Sequence, residues 1–248
     1  MTDPRTYIPA SDALADRVIL ITGASDGIGK AVAVAAAAHG ARVILHGRNI
    51  KRLEAAYDEI VALNQRRPSI LPLDLEKAGP AEYDALYAAI ETEFGRLDAL
   101  LHNAGMLGDR APIEHLDVPK WMRTMHVNVT APFLLTQRCL PLLRKSTDGS
   151  IVFTSSGVVP KPRAYWGAYL PSKWASEGLM RMLADELESE RIRVNSLDPG
   201  KVKTNMRYQA YPAEDRSTLP EPESIVAPYL FLLGTAGKGI SGQAFDCQ

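Results

Sequence analysis

The sequence predicts a single doubly wound α/β domain, a parallel sheet of about seven strands with helices on both faces. Three observations predict it. Short all-apolar runs rich in β-branched residues read as strands buried on both faces. Helical patterns alternate with these runs to the end of the chain, with no linker and no internal repeat. The first run feeds a glycine-rich loop that opens the first helix, as in a βαβ unit.

The first strand is Val18-Ile19-Leu20-Ile21, and the loop is Thr22 to Gly29. An Ala/Val-rich helix follows and stops at Gly40, and residues 42–46 form the second strand. Asn49 is placed to cap a helix in which Leu53, Ala56, Tyr57, Ile60, Val61 and Asn64 recur at helical spacing. Residues 70–73 are the third strand, ending at Asp74. Residues 81–94 are helical, with Leu86, Ile90 and Phe94 on one face and Gly95 as the stop. The fourth strand, 97–102, runs into Asn103-Ala104-Gly105. A loop, 106–112, then leads to Asp117 and a long helix, which Pro132 and Pro141 punctuate without having to end. Strands are expected at 150–155, 193–197 and 240–245, with a helix at 168–189. Residues 204–222, with Tyr208, Tyr211 and three prolines, break the rhythm. An irregular segment of this length is a functional lid or a disordered excursion, and its place after a strand's carboxyl end favours a substrate lid.

Composition narrows the function classes. A net charge of −1 without a run of like charges leaves no footprint for nucleic acid or an anionic membrane. No apolar run approaches the ~20 residues needed to span a bilayer, and residues 1–16 lack the apolar centre of a signal peptide. Cys139 and Cys247 lie far apart without metal-ligand spacing, and the histidines form no cluster. Reduced thiols, a cytoplasmic location and no metal are therefore expected.

The chemistry is carried by Ser156, Tyr169 and Lys173. Tyr169 and Lys173 stand at i and i+4, hence on one helix face. A phenol with a pKa near ~10 is a poor acid–base group at neutral pH, and a neighbouring ammonium is expected to lower it. Ser156, at the end of the fifth strand, is placed to hold a carbonyl or hydroxyl oxygen at the same point. Taken alone, Y-x-x-x-K also has a bland reading as a surface helix pair, and the glycine loop as a structural turn. Trp166, just upstream, is either a substrate wall or simple packing, while Trp121 and Met125 read as helix packing. Lys161 and Arg163 read as solvated loop charges, with a preference for an acidic substrate as the alternative.

The glycine spacing is T-G-x-x-x-G-x-G, through Gly23, Gly27 and Gly29. With the serine, tyrosine and lysine it resembles the classical short-chain dehydrogenase/reductase family, from Asp16 to about Asp246. The resemblance implies a Rossmann-type fold and a cofactor cradle formed by Gly23, Ser25, Asp26, Gly27, Ile28 and Gly29. It implies that Asp74, with Leu75, holds the adenine, and that Asn103, Ala104 and Gly105 line the cofactor and steady the central sheet. Pro199, Gly200, Val202 and Thr204 match P-G-x-V-x-T, which holds the nicotinamide carboxamide. Tyr169 and Lys173 would meet the nicotinamide ribose. Asn128 matches the asparagine that completes an Asn–Ser–Tyr–Lys tetrad and anchors a proton-relay water. Within the family, residues 102–109 and 166–169 are similar to bacterial YciK-type oxidoreductases. His102 stands where many relatives have asparagine and reads as packing or a local hydrogen bond. Asp198 stands where relatives more often have asparagine or serine.

The implied activity is hydride transfer between nicotinamide and a small-molecule carbonyl or secondary alcohol, in a homodimer or homotetramer. A non-catalytic redox sensor and an NAD-dependent alcohol dehydrogenase are the alternatives. NADP(H) is favoured because no carboxylate lies between Gly40 and Leu53 to accept ribose hydroxyls. Arg48, beside Asn49, instead offers a planar fork of donors suited to a 2′-phosphate. Arg48 as a solvated loop charge is the bland reading, and Asp26 in the glycine loop is a counter-signal. The apolar content of the helices at 117–145 and 168–189, including Phe133, Leu134, Leu135, Leu179, Met180 and Leu183, exceeds what one sheet face needs. This excess is what suggests an oligomer.

Overall fold

A computed structural model describes residues 3–63 and 66–248. The strands are β1 (Val18–Thr22), β2 (Arg42–Gly47), β3 (Ser69–Pro72), β4 (Ala99–His102), β5 (Gly149–Thr154), β6 (Ile192–Asp198) and β7 (Ala244–Asp246). All pair in parallel, in the order β3-β2-β1-β4-β5-β6-β7. The helices are α1 (Gly27–Ala38), α2 (Ile50–Ala62), α3 (Pro80–Phe94), α4 (Val118–Met125), α5 (Ala131–Leu143), α6 (Tyr169–Glu186), α7 (Asn205–Ala210) and α8 (Val226–Leu233). The expected doubly wound sheet is present, with its strand order reversing between β1 and β4.

Two apolar layers sandwich the sheet, and the strands supply them alternately. Ile19 and Ile21 of β1 join α1, α2 and α8 on one face. Val18 and Leu20 join α3, α5 and α6 on the other. This two-sided burial is why the strands read as continuous apolar runs rather than as alternating ones.

Several boundaries shift from the expected ones. Asn49 caps α2 as read, accepting from the Arg52 N–H at 3.1 Å, while Asn64 lies outside the described residues. The last strand is shorter and later than 240–245, because Gly242 and its neighbours turn the chain before β7. Residues 204–222 are not irregular throughout. Thr204 caps α7, and short 3₁₀ turns follow at Arg216–Thr218 and from Pro222. α8 had no sequence signal of its own. It is apolar all round and packs beside α1 against β4, β5 and β6, so no polar face marks its period. No described helix is long and apolar enough to cross a membrane, and no group of metal-ligating side chains occurs among the described residues.

Of the six apolar residues taken as surplus on the long helices, Leu135, Met180 and Leu183 are buried in the core, and only Phe133 is exposed. The exposed apolar groups on α4–α6 are instead Val118, Met122, Phe133, Trp174 and Met182.

Two histidines lie near the carboxyl ends of β2 and β4, the strands on either side of β1, on the face covered by α5. His102 bonds Thr136 Oγ1 through Nε2 at 2.8 Å and stacks on Phe153 with ring centroids 4.6 Å apart, so its role is local packing. His46 is wholly buried, with neither ring nitrogen partnered by protein. Burial pushes His46 down to about 4 and His102 down to about 3, so both are neutral in the fold. An unfolded chain protonates them below a pKa of about 6.5 and so gains protons that the folded chain refuses. Their contribution is complete above that pH and is lost as pH falls toward the folded values. Each histidine should steepen the loss of unfolding free energy by about 1.4 kcal/mol per pH unit. Denaturant melts between pH 6 and 5 check this: His102→Asn should show a slope shallower by about that amount, and an unchanged slope would contradict it.

Candidate active site

The carboxyl ends of the strands open into a cleft of about 710 Å³ at the point where the strand order reverses. A joint between β1 and β4 shapes its floor. Thr22 Oγ1 donates to the Leu101 carbonyl at 3.1 Å and accepts from the N–H groups of Asn103 and Ala104, both at 3.0 Å. Asn103 Nδ2 returns a bond to the Thr22 carbonyl at 3.1 Å. The glycine loop wraps this joint so closely that a Cβ at Gly29 would lie 2.3 Å from the Gly23 carbonyl oxygen and 2.5 Å from Asn103 Nδ2. Gly23 itself has a φ of +68°. Both glycines are thus required by the contact, and α1 starts there with its N–H groups facing the cleft.

Nearly all the residues expected to bind cofactor line this one cleft: Gly23, Ser25, Asp26, Gly27, Ile28, Arg48, Asn49, Asp74, Leu75, Asn103, Ala104, Gly105, Tyr169, Lys173, Pro199, Gly200, Val202 and Thr204. Gly29 and Asn128 stand behind its wall instead. The Pro199–Gly200 turn is held from below by Gln248, whose Nε2 donates to the Pro199 carbonyl at 2.8 Å.

At the edge near Arg48 the structure adds a residue that sequence reasoning missed. Arg52, one helical turn on, lines the cleft and pairs with Asp26 at 3.1 Å. Asp26 also caps α1 through Gly27 N–H at 2.8 Å and accepts from Asn205 Nδ2 at 2.6 Å. The acid that counted against a phosphate is therefore engaged by its neighbours. Arg48 is two-thirds exposed and meets Glu76 at 3.7 Å. The signal available in the sequence was that Arg52 shares with Arg48 the stretch that holds no carboxylate. Two guanidinium forks, the glycine cradle and a helix N-terminus fit a phosphorylated dinucleotide.

Ser156, Tyr169 and Lys173 come together on the opposite wall. Ser156 follows β5, and Tyr169 begins α6. Pro171 falls in the first turn of that helix, where its missing N–H costs nothing. Lys173 Nζ donates to the Thr154 carbonyl at 2.7 Å and lies 5.6 Å from the centre of the Tyr169 ring. The expected lowering of the Tyr169 pKa is not what the site imposes. Burial pushes the phenol up to about 12, Asp198 adds to the shift, and the Ser156 hydroxyl beside it pulls the other way. Burial likewise brings Lys173 down to about 8, against the opposing charges of Glu177 and Asp198. A low-dielectric wall penalises both ionised forms, and for the phenol that penalty prevails. At neutral pH Tyr169 therefore carries its proton while Lys173 remains a cation.

Asn128 sits 3% exposed behind Tyr169, in a π-helical turn (His126–Thr130) that joins α4 to α5. An α-helix would pair the Asn128 carbonyl with the N–H four residues on, but that residue is Pro132. The Ser176 hydroxyl donates to the freed carbonyl at 3.0 Å. The Asn128 side chain accepts from Met106 N–H at 2.7 Å and donates to the Met106 carbonyl and Ser172 Oγ, both at 2.9 Å. It ties the loop after β4 to the helix that carries Tyr169 and Lys173.

Trp166 is buried on the cleft wall beyond Tyr169, with ring centroids 5.6 Å apart. Met206 and Ala210 of α7 line the same region.

A parallel sheet that reverses its strand order over a glycine cradle, with a tyrosine and lysine on one helix turn, defines a nucleotide-binding oxidoreductase site. The sequence model of the short chain dehydrogenase family matches residues 17–215, and the chain belongs to that family. It is 46% identical over 242 residues to the uncharacterized oxidoreductase YciK of Escherichia coli (strain K12), covering 98% of this chain and 96% of that one. The structure of a putative short chain dehydrogenase from Pseudomonas syringae is similar at 51% identity and a TM-score of 0.96, covering 98% of each chain. A putative short chain dehydrogenase from Escherichia coli CFT073, solved in complex with NADPH, is 46% identical with a TM-score of 0.94, covering 97% of this chain and 100% of that one.

Proposed function

We propose that the protein is an NADP(H)-dependent oxidoreductase that interconverts a small-molecule carbonyl compound and its secondary alcohol. The observation that carries this reading is the meeting of buried Tyr169 and Lys173 with Ser156 on one wall of the cleft. In reduction, the Tyr169 hydroxyl gives its proton to the substrate oxygen, towards which Ser156 donates a hydrogen bond. NADPH, when bound, supplies the hydride that reaches the carbonyl carbon and leaves as NADP⁺. The C=O π bond is replaced by one C–H and one O–H bond, and the charge left on Tyr169 is stabilised by Lys173 until a proton returns. Asn128 keeps the catalytic helix in register with the loop beyond β4. The 204–222 segment acts as the substrate lid: α7 borders the cleft, and Asn205 reaches across it to Asp26.

The choice of NADP(H) is supported by Arg48 and Arg52 at the cleft edge and by the NADPH complex of the Escherichia coli CFT073 protein. A charge-assisted hydrogen bond contributes about 1.5–3 kcal/mol, and tenfold in affinity is about 1.4 kcal/mol. Fluorescence titration should therefore find NADPH weakened about ten- to a hundredfold by Arg48→Ala or Arg52→Ala, with NADH nearly unchanged. Equal weakening of both cofactors would remove these arginines from 2′-phosphate recognition.

Tyr169→Phe retains the ring and loses only the proton donor. Consumption of NADPH with a panel of ketones should fall at least about a hundredfold while NADPH binding persists. Substantial turnover in this variant would sink the mechanism.

A homodimer or homotetramer belongs to the same reading, supported by Val118, Met122, Phe133, Trp174 and Met182 exposed on α4–α6. Light scattering at micromolar concentration should give a mass at least twice that of the chain, and a monomer alone would count against it.

A further inference from the structure

The chemistry of the substrate can be read from the cleft wall beyond Tyr169, on the reading just given. That wall is apolar. Leu107, Trp166 and Ala210 form with Tyr169 a small core cluster separate from the two that flank the sheet, and Met206 packs against it. Gln209 adds an uncharged amide to the lining. Along 204–214, Arg207 is the one charged residue that lines the cleft.

The charge on Arg207 is already spent. Its Nε and Nη2 donate to the two carboxylate oxygens of Glu214 at 2.6 and 2.5 Å. The guanidinium carbon also lies over the Tyr211 ring, 3.9 Å from its centre, and Tyr211 meets Trp166 at 6.0 Å between ring centroids. The pair is mostly withdrawn from water, with side-chain exposures of 18% and 25%. Arg207 holds Glu214 below the usual carboxylate range, so the partner is ionised at neutral pH. A guanidinium fork filled by one carboxylate has little left to offer a second. Arg110 covers the rings of Trp166 and Tyr211 at 4.7 and 5.0 Å but does not line the cleft.

We infer that the substrate is an uncharged ketone or secondary alcohol with an apolar body, and that Glu214 determines this specificity by neutralising Arg207 on the pocket wall. A substrate whose body bears a carboxylate would place it against the wall beyond Tyr169, where the one lining cation of 204–214 is already paired, and lose its hydration there. Removing the Glu214 charge leaves Arg207 as a cation facing that space and abolishes the preference.

Binding tests this without turnover. NADP⁺-loaded protein is titrated calorimetrically with cyclohexanecarboxamide and cyclohexanecarboxylate, which share a ring and differ in charge. Wild-type protein should bind the amide at least about tenfold more tightly than the carboxylate. Glu214→Gln should tighten the carboxylate by about tenfold and leave the amide within about twofold. The double variant Arg207→Gln/Glu214→Gln, which has neither charge, should return to the wild-type ranking, and it decides the matter if the single variant does not fold. Three results each overturn the inference: wild type preferring the carboxylate or binding both alike, binding of neither ligand, or a ranking indifferent to the charge on residue 214. Loss of the oxidoreductase reading appears separately, as intact ligand binding without reduction of any ketone.

Discussion

The hydrogen-bonded joint between Thr22 and the Asn103-Ala104 turn is the constraint on which the rest of the site depends. It lies where the sheet reverses direction, so helices leave to opposite faces and the strand ends part to form the cleft. One hydroxyl satisfies two backbone N–H groups and one carbonyl there, leaving no slack between β1 and β4. The glycine loop packs directly on this joint, which is why Gly29 has no room for a methyl group. Asn103 Oδ1 in turn accepts from Thr154 Oγ1 at 3.4 Å, and the carbonyl of Thr154 holds Lys173. A continuous run of contacts thus joins the glycine loop to the helix that carries Tyr169 and Lys173.

Charges are used differently at the two ends of the sheet. At the amino end, Arg193 meets both oxygens of Asp148 at 3.1 Å and caps the carbonyls of Leu232 and Gly234. Asp98 accepts from the Val18 N–H and from Ser146. Those groups bind the layers together. At the carboxyl end, Lys173 and Arg48 face the cleft. The same burial that closes the amino end sets the protonation of the site, by making the phenolate of Tyr169 costly in a wall that excludes water.

Helical regularity is broken at the one place where the site needs it. Pro132 removes the N–H that the Asn128 carbonyl would take, and the π turn with Ser176 absorbs the loss. The loop after β4 and the helix bearing Tyr169 then share one asparagine as a common support. Through this support, a change in packing behind the wall bears on the geometry in front of it.

Much of this was legible in the chain because it is local. The apolar runs of β1, β2 and β5, the cap at Asn49 and the i, i+4 spacing of Tyr169 and Lys173 follow from periodicity alone, and the glycine spacing marks the cradle. Where period fails, so does the reading: α8 is apolar on every side, and α7 is a single capped turn among prolines. By itself the sequence determined the order of elements, the family pattern and the residues that meet in the cleft. Only the tertiary structure decided that Arg52 and Asn205 share Asp26, that Glu214 occupies Arg207, and that Tyr169 keeps its proton. Those outcomes depend on distances between residues far apart in the chain and on how much water the fold excludes, and no local pattern encodes either.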